Sequence, residues 1–131
     1  MLNFRFDTEQ KVYEIAGIKV GGQPGENPTA LIGSIFHKGD RLIEDRRKRK
    51  FDREKATEYI RRQEKLSAET GVPGMIDIVA NSLDEFKSWV DFVANTSRMP
   101  FCVGMWKLGV RLGAVEYCAR QGLLDRMVYN S

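Results

Sequence analysis

Three polar side chains interrupt or end apolar runs, where a folded chain can do chemistry: Ser34 in Leu31–Phe36, Asp77 in Met75–Val79, and Asn130 after Met127-Val128-Tyr129. A carboxylate such as Asp77 accepts hydrogen bonds from N–H groups and can fix a ligand's orientation. An amide such as Asn130 both donates and accepts, which suits an atom whose charge changes during a reaction. Other chemistries lack their residues. The chain has one histidine, His37, which reads as a solvated loop residue. Its two cysteines, Cys102 and Cys118, lack CxxC spacing and read as reduced, buried thiols, not as a disulfide or metal site. No GxGxxG or GxxxxGK[ST] phosphate loop follows a strand.

The elements that must position these groups alternate along the chain. A length of 131 residues with 42% hydrophobic content suits one ordinary domain. Val12–Ile15 and Ile18–Val20, separated by Ala16-Gly17, predict a β-hairpin, and the Gly/Pro-rich stretch to Pro28 completes an N-terminal cap over residues 1–28. Thr29–Phe36 predicts a strand buried on both sides. Asp52 then caps a helix reaching Thr70, with Ala56, Ile60, Gln63 and Leu66-Ser67 turned inward and Gly71 as its stop. Met75–Val79 predicts a second strand, and Asn81 or Ser82 caps a helix that buries Phe86, Trp89, Val90 and Val93 as core. Pro100–Val103 is a third strand, Lys107–Gln121 a third helix stopped by Gly122, and Met127–Asn130 opens a fourth strand.

Alternation of this kind implies a parallel sheet in residues 29–131. A doubly wound open sheet produces the same pattern. Polar groups recurring at successive strand ends favour instead the front half, about four βα units, of a TIM-type (β/α)8 barrel. The net charge of +3 comes from Arg46-Arg47-Lys48-Arg49-Lys50, which acidic residues flank and no aromatic interrupts. That run reads as a solvated loop, and nucleic acid is not an expected partner. Without a long apolar run or a secretory signal, a cytoplasmic location is expected.

The blocks Gly21-Gly22-Gln23-Pro24-Gly25-Glu26, Leu31–Phe36, Gly71–Val79 and Tyr129-Asn130-Ser131 together resemble the H subunit family of tetrahydromethanopterin S-methyltransferase, from about Phe4 to Ser131. The resemblance implies a barrel holding a methylated tetrahydropterin, of the tetrahydromethanopterin or tetrahydrofolate type, while a separate corrinoid protein presents cobalt(I). The cobalamin would belong to that partner, no metal to this chain, and membrane association would be at most peripheral. It further implies a catalytic role for Asn130 and substrate contacts for Asp77, Ser34 and Ser131. Breaking the methyl–nitrogen bond requires stabilising the departing amine, which rim carboxylates and amides can do.

Two departures from the family pattern stand out. Gly104 occupies the place of a pterin-contacting carboxylate, so restoring an aspartate there is expected to strengthen binding. Within Gly104–Gly109, Trp106 could occlude the pocket. A closed barrel also needs about 250 residues, so the chain is expected to associate with itself or with a complementing second-half chain. The alternative is an inactive remnant or assembly subunit.

Overall fold

A computed structural model describes residues 4–130. The strands are β1 (Val12–Ile15), β2 (Ile18–Gly21), β3 (Leu31–Ile35), β4 (Ile43–Asp45), β5 (Lys50–Phe51), β6 (Gly74–Val79), β7 (Phe101–Gly104) and β8 (Met127–Val128). The helices are α1 (Arg53–Thr70), α2 (Leu83–Thr96) and α3 (Leu108–Arg120), with a 3-10 turn over Leu124–Arg126.

β1 and β2 pair antiparallel, and both connecting residues take positive φ, Ala16 at 47° and Gly17 at 82°. That is the twist a two-residue hairpin turn needs. The Gln23 amide holds the preceding segment like a strand neighbour: Oε1 accepts from Phe6 N at 2.8 Å, and Nε2 donates to Phe6 O at 3.1 Å.

The main sheet is parallel, in the consecutive order β3-β6-β7-β8. No reversal of order occurs among these four strands. Right-handed crossovers in one direction put the helices on one side. The packing agrees: Ile35, Ile76, Ile78, Phe101 and Val103 share a buried core with Ile60 of α1, Phe86, Trp89, Val90 and Val93 of α2, and Ala114 and Cys118 of α3.

Helix boundaries follow local chemistry. Asp52 Oδ1 accepts from Lys55 N at 2.9 Å to start α1, and Gly71, at φ 72°, ends it. Ser82, not Asn81, caps α2 by accepting from Glu85 N. After α3, the Arg126 guanidinium donates to the Ser97 and Met99 carbonyls, filling acceptors at the end of α2.

Three expectations need correction. β3 is not buried on both sides: Leu31 is 61% and Ile32 55% exposed, because β3 is an edge strand with one face uncovered. Leu66 is exposed, lying on α1 beside that open edge. The basic run is the turn from β4 into β5, with Arg47 to Lys50 exposed, but Arg46 departs from a solvated loop. Arg46 turns inward, stacking 4.9 Å from the Trp89 ring centroid and donating to Glu85 Oε2 at 3.0 Å and Phe36 O at 2.7 Å.

β3 also ends one residue early. Alternation would carry Phe36 onto the face of Ser34, but Phe36 takes φ 65° and stacks on Trp89 in the core, with centroids 4.9 Å apart. Asp40 Oδ2 accepts from its N–H at 2.7 Å and Arg46 donates to its carbonyl, which together hold this uncommon backbone.

Candidate functional site

Strand register decides which side chains share a face. Ser34 pairs with Asp77, Asp77 with Cys102, and Cys102 with Val128, so these four form one row across the sheet. Their neighbours Gly33, Ile76, Ile78, Phe101 and Val103 point to the helices, so the row lies on the opposite face. Two glycines confirm the assignment: a Cβ on Gly33 would approach Gln63 of α1, whereas one on Gly104 would approach Asp77.

Ser34 and Asp77 touch: Ser34 Oγ donates to Asp77 Oδ2 at 3.2 Å. Asp77 Oδ1 is buried without a hydrogen-bond partner. Burial lifts the Asp77 carboxyl above its ordinary value, opposed by the Ser34 hydrogen bond. Cys102, next in the row, has its thiol pushed up to about 11, first by burial and then by the Asp77 charge. A thiol held protonated in this way is a poor nucleophile. Met75 and Cys102 are buried although they lie on the helix-free face, since β6 and β7 are flanked by paired strands on both sides.

Asn130 stands apart from this cluster. It lies two residues beyond β8, which stops at Val128 short of the expected Asn130, and two strand spacings, about 10 Å, separate β8 from the strand of Asp77. It is exposed, and its backbone carbonyl accepts from Arg111 Nη1 at 3.3 Å. Ser131 lies outside the described residues.

The strand ends that carry these groups are braced from above. Arg46 bridges the carbonyls of Phe36 and His37, after β3, to Glu85, whose Oε2 also accepts from Asn81 N at 2.8 Å, after β6. Sequence reasoning missed both Arg46 and Glu85. A signal for Glu85 existed in Ser82-Leu83-Asp84-Glu85, a capping-box spacing. None marked Arg46 apart from its four basic neighbours, and Cys102 looked like any apolar strand residue.

His37 is exposed, with Nδ1 3.1 Å from Lys38 O. Trp106 is 91% exposed and, with Ala80, Asn81, Met105 and Val110, lines a cavity of about 250 Å³ beyond the ends of β6 and β7. Neither Ser34 nor Asp77 lines that cavity with it. Both cysteines are free and buried. Among the described residues no group of three or more His, Cys, Asp or Glu could hold a metal ion, and no helix is long and apolar enough to cross a membrane.

A parallel sheet with its helices on one face and a carboxyl–hydroxyl pair with an unpartnered oxygen on the other defines an α/β protein. Comparison with known proteins gives the particular family. Residues 8–131 match the family described as tetrahydromethanopterin S-methyltransferase MtrH subunit, and the chain belongs to it. It is 43% identical over 128 residues to the H subunit of a putative mtx methyltransferase from Methanosarcina mazei. It is 41% identical over 128 residues to the H subunit of tetrahydromethanopterin S-methyltransferase from Methanothermobacter marburgensis, and 43% over 123 residues to that from Methanopyrus kandleri. These alignments cover 98%, 98% and 94% of this chain but 41%, 41% and 38% of the relatives. The chain thus spans about two fifths of their length.

Proposed function

We propose that the chain supplies strands one to four of a (β/α)8 barrel that binds a methylated tetrahydropterin, and that the methyl group passes between this pterin and cobalt(I) on a separate corrinoid protein. The observation that carries the reading is the row Ser34–Asp77–Cys102–Val128 on the helix-free face of a consecutively ordered sheet. A barrel's interior is such a face, and its chemistry collects at the C-terminal ends of the strands. Family membership supplies the substrate class, since relatives are named for tetrahydromethanopterin.

In this reading Asp77 orients the pterin by accepting from its ring and amino N–H groups at Oδ2, the oxygen Ser34 also holds. The partner's cobalt(I) would supply the electron pair that receives the methyl group, and the pterin nitrogen would keep the methyl–nitrogen pair and take up a proton from solvent. Asn130 and Ser131, at the end of the fourth strand, are assigned to hydrogen-bonding there. The ring then spans β6 to β8, which accounts for the separation of Asp77 from Asn130.

The open edges fit a partial barrel. Between β3 and α1 lies an apolar groove of about 320 Å³, lined by Leu31, Tyr59, Leu66 and Val72, where the next βα unit of a barrel would pack. A second reading is an assembly piece without turnover of its own. Peripheral attachment to a membrane complex suits either reading.

Calorimetric titration with methyltetrahydrofolate and with methyltetrahydromethanopterin tests the proposal. Saturable heat, abolished by Asp77→Ala, is the expected result. No heat up to millimolar ligand refutes the pterin site and leaves the assembly reading.

A further inference from the structure

Gly104 has no conformational reason to be glycine. Seven glycines take positive φ, and Gly104 is not among them, so its backbone accepts any residue. What a side chain there would meet is the Asp77 carboxyl. An ideal Cβ at 104 would lie 2.3 Å from Asp77 Oδ1 and 2.8 Å from both Cγ and Oδ2, where real contacts stay beyond 3.0 Å. The Asp77 carboxyl therefore occupies the volume a side chain on β7 would fill.

We propose that Gly104 is a positioning residue: the notch left by its missing side chain seats Asp77 Oδ1 out of water while Ser34 holds Oδ2, so that the carboxyl sits at one fixed point of the row. The inference rests on the pterin reading for its ligand, a ring with adjacent N–H donors, but its geometry does not. Oδ1 is closed to water as well as unpartnered, so a ligand's donors would meet the carboxyl at Oδ2, beside Ser34. Ser34 and the Cys102 thiol are the polar neighbours recorded beside the carboxyl among the described residues. Gly104 thus belongs to the site by being small, and is not merely a position from which a carboxylate has been lost.

A Cβ at 104 moves the carboxyl by about 0.7 Å or more, the distance from 2.3 to 3.0 Å. Displacements near 1 Å in a binding constellation cost up to about 10²-fold. Gly104→Ala should therefore weaken methyltetrahydrofolate binding at least about tenfold. Gly104→Asp should weaken it too, contrary to the sequence-based expectation, because it sets a second carboxyl against the first.

Two measurements decide the proposal without any ligand. Carbon-13 NMR titration of the Asp77 carboxyl should give a midpoint above 3.8 in the wild type and a lower one in Gly104→Ala, as the group is pushed into water. An unchanged midpoint overturns the notch. Gly104→Ala should also lower the melting temperature in the wild-type background but not in Asp77→Ala, where the clashing group is gone, and equal losses in both backgrounds overturn it as well. If the wild type binds no pterin, the proposed function fails while these two measurements still judge Gly104.

Discussion

Arg46→Met should destabilise the protein far more than loss of any other basic residue in its run. The Arg46 side chain is 23% exposed and its partner Glu85 12%, with 3.0 Å between Nη1 and Oε2. Methionine keeps the stem against Trp89 but removes the charge, leaving Glu85 with the Asn81 N–H and the two carbonyls after β3 without their donor. Breaking a buried pair from one side costs about 3–5 kcal/mol, and the partial exposure of Arg46 places this one near 3 kcal/mol. At about 4 °C per kcal/mol for a chain of this size, the melting temperature should fall by about 12 °C. By contrast, Lys65 and Glu69 sit 3.8 Å apart and well exposed, so Lys65→Met should cost under about 1 kcal/mol. Thermal and urea unfolding followed by circular dichroism would give both numbers. Arg46→Met/Glu85→Gln should recover more than half the loss, because no orphaned charge remains. A single-mutant cost comparable to that of Lys65→Met, or no recovery in the double mutant, would refute the buried-latch argument.

The Asp77 carboxyl titrates higher in the folded than in the unfolded chain, so between those two values the folded state holds more protons. Its contribution is therefore present below the unfolded value of 3.8 and lost as pH rises through the folded one. Wild-type stability relative to Asp77→Asn should fall over that rise in pH, and a flat difference in urea melts would contradict this. Tyr117 donates to both Asp91 oxygens at 2.8 Å, and burial followed by this bond pushes its hydroxyl up to about 12. Absorbance titration at alkaline pH should thus show one late-ionising tyrosine that disappears in Tyr117→Phe, which should lose about 1 kcal/mol of stability. Cys102 and Cys118, both buried and pushed up to about 11, should react with a thiol reagent at pH 8 only after unfolding. Rapid labelling of the native chain would contradict their burial.

Much of the fold was legible locally. Asp52, Ser82, Gly71 and Gly122 mark helix ends through hydrogen bonds and backbone preferences that act within a few residues, and the spacing of Phe86, Trp89, Val90 and Val93 identifies the buried stripe of α2. The alternation of strands and helices likewise implied parallel pairing. Ser34 and Asp77 were recognisable because a polar group inside an apolar run is conspicuous without knowledge of its neighbours.

Tertiary structure alone decided what surrounds those groups. Period two places Asp77 opposite Ile76 and Ile78 but cannot say which face the helices cover or that β3 stands at an edge, since both depend on strands distant in sequence. Nothing local distinguishes Arg46 from Arg47, yet one of them reaches across to α2 because the β4–β5 turn and the positive φ of Phe36 bring it there. Gly104 looked like a missing carboxylate for the same reason. Its meaning depends on the Asp77 side chain of the neighbouring strand, whose carboxyl already fills the space. Local interactions set element identity along the chain, whereas burial, charge pairing and the shape of the site arise from contacts between elements that no single segment encodes.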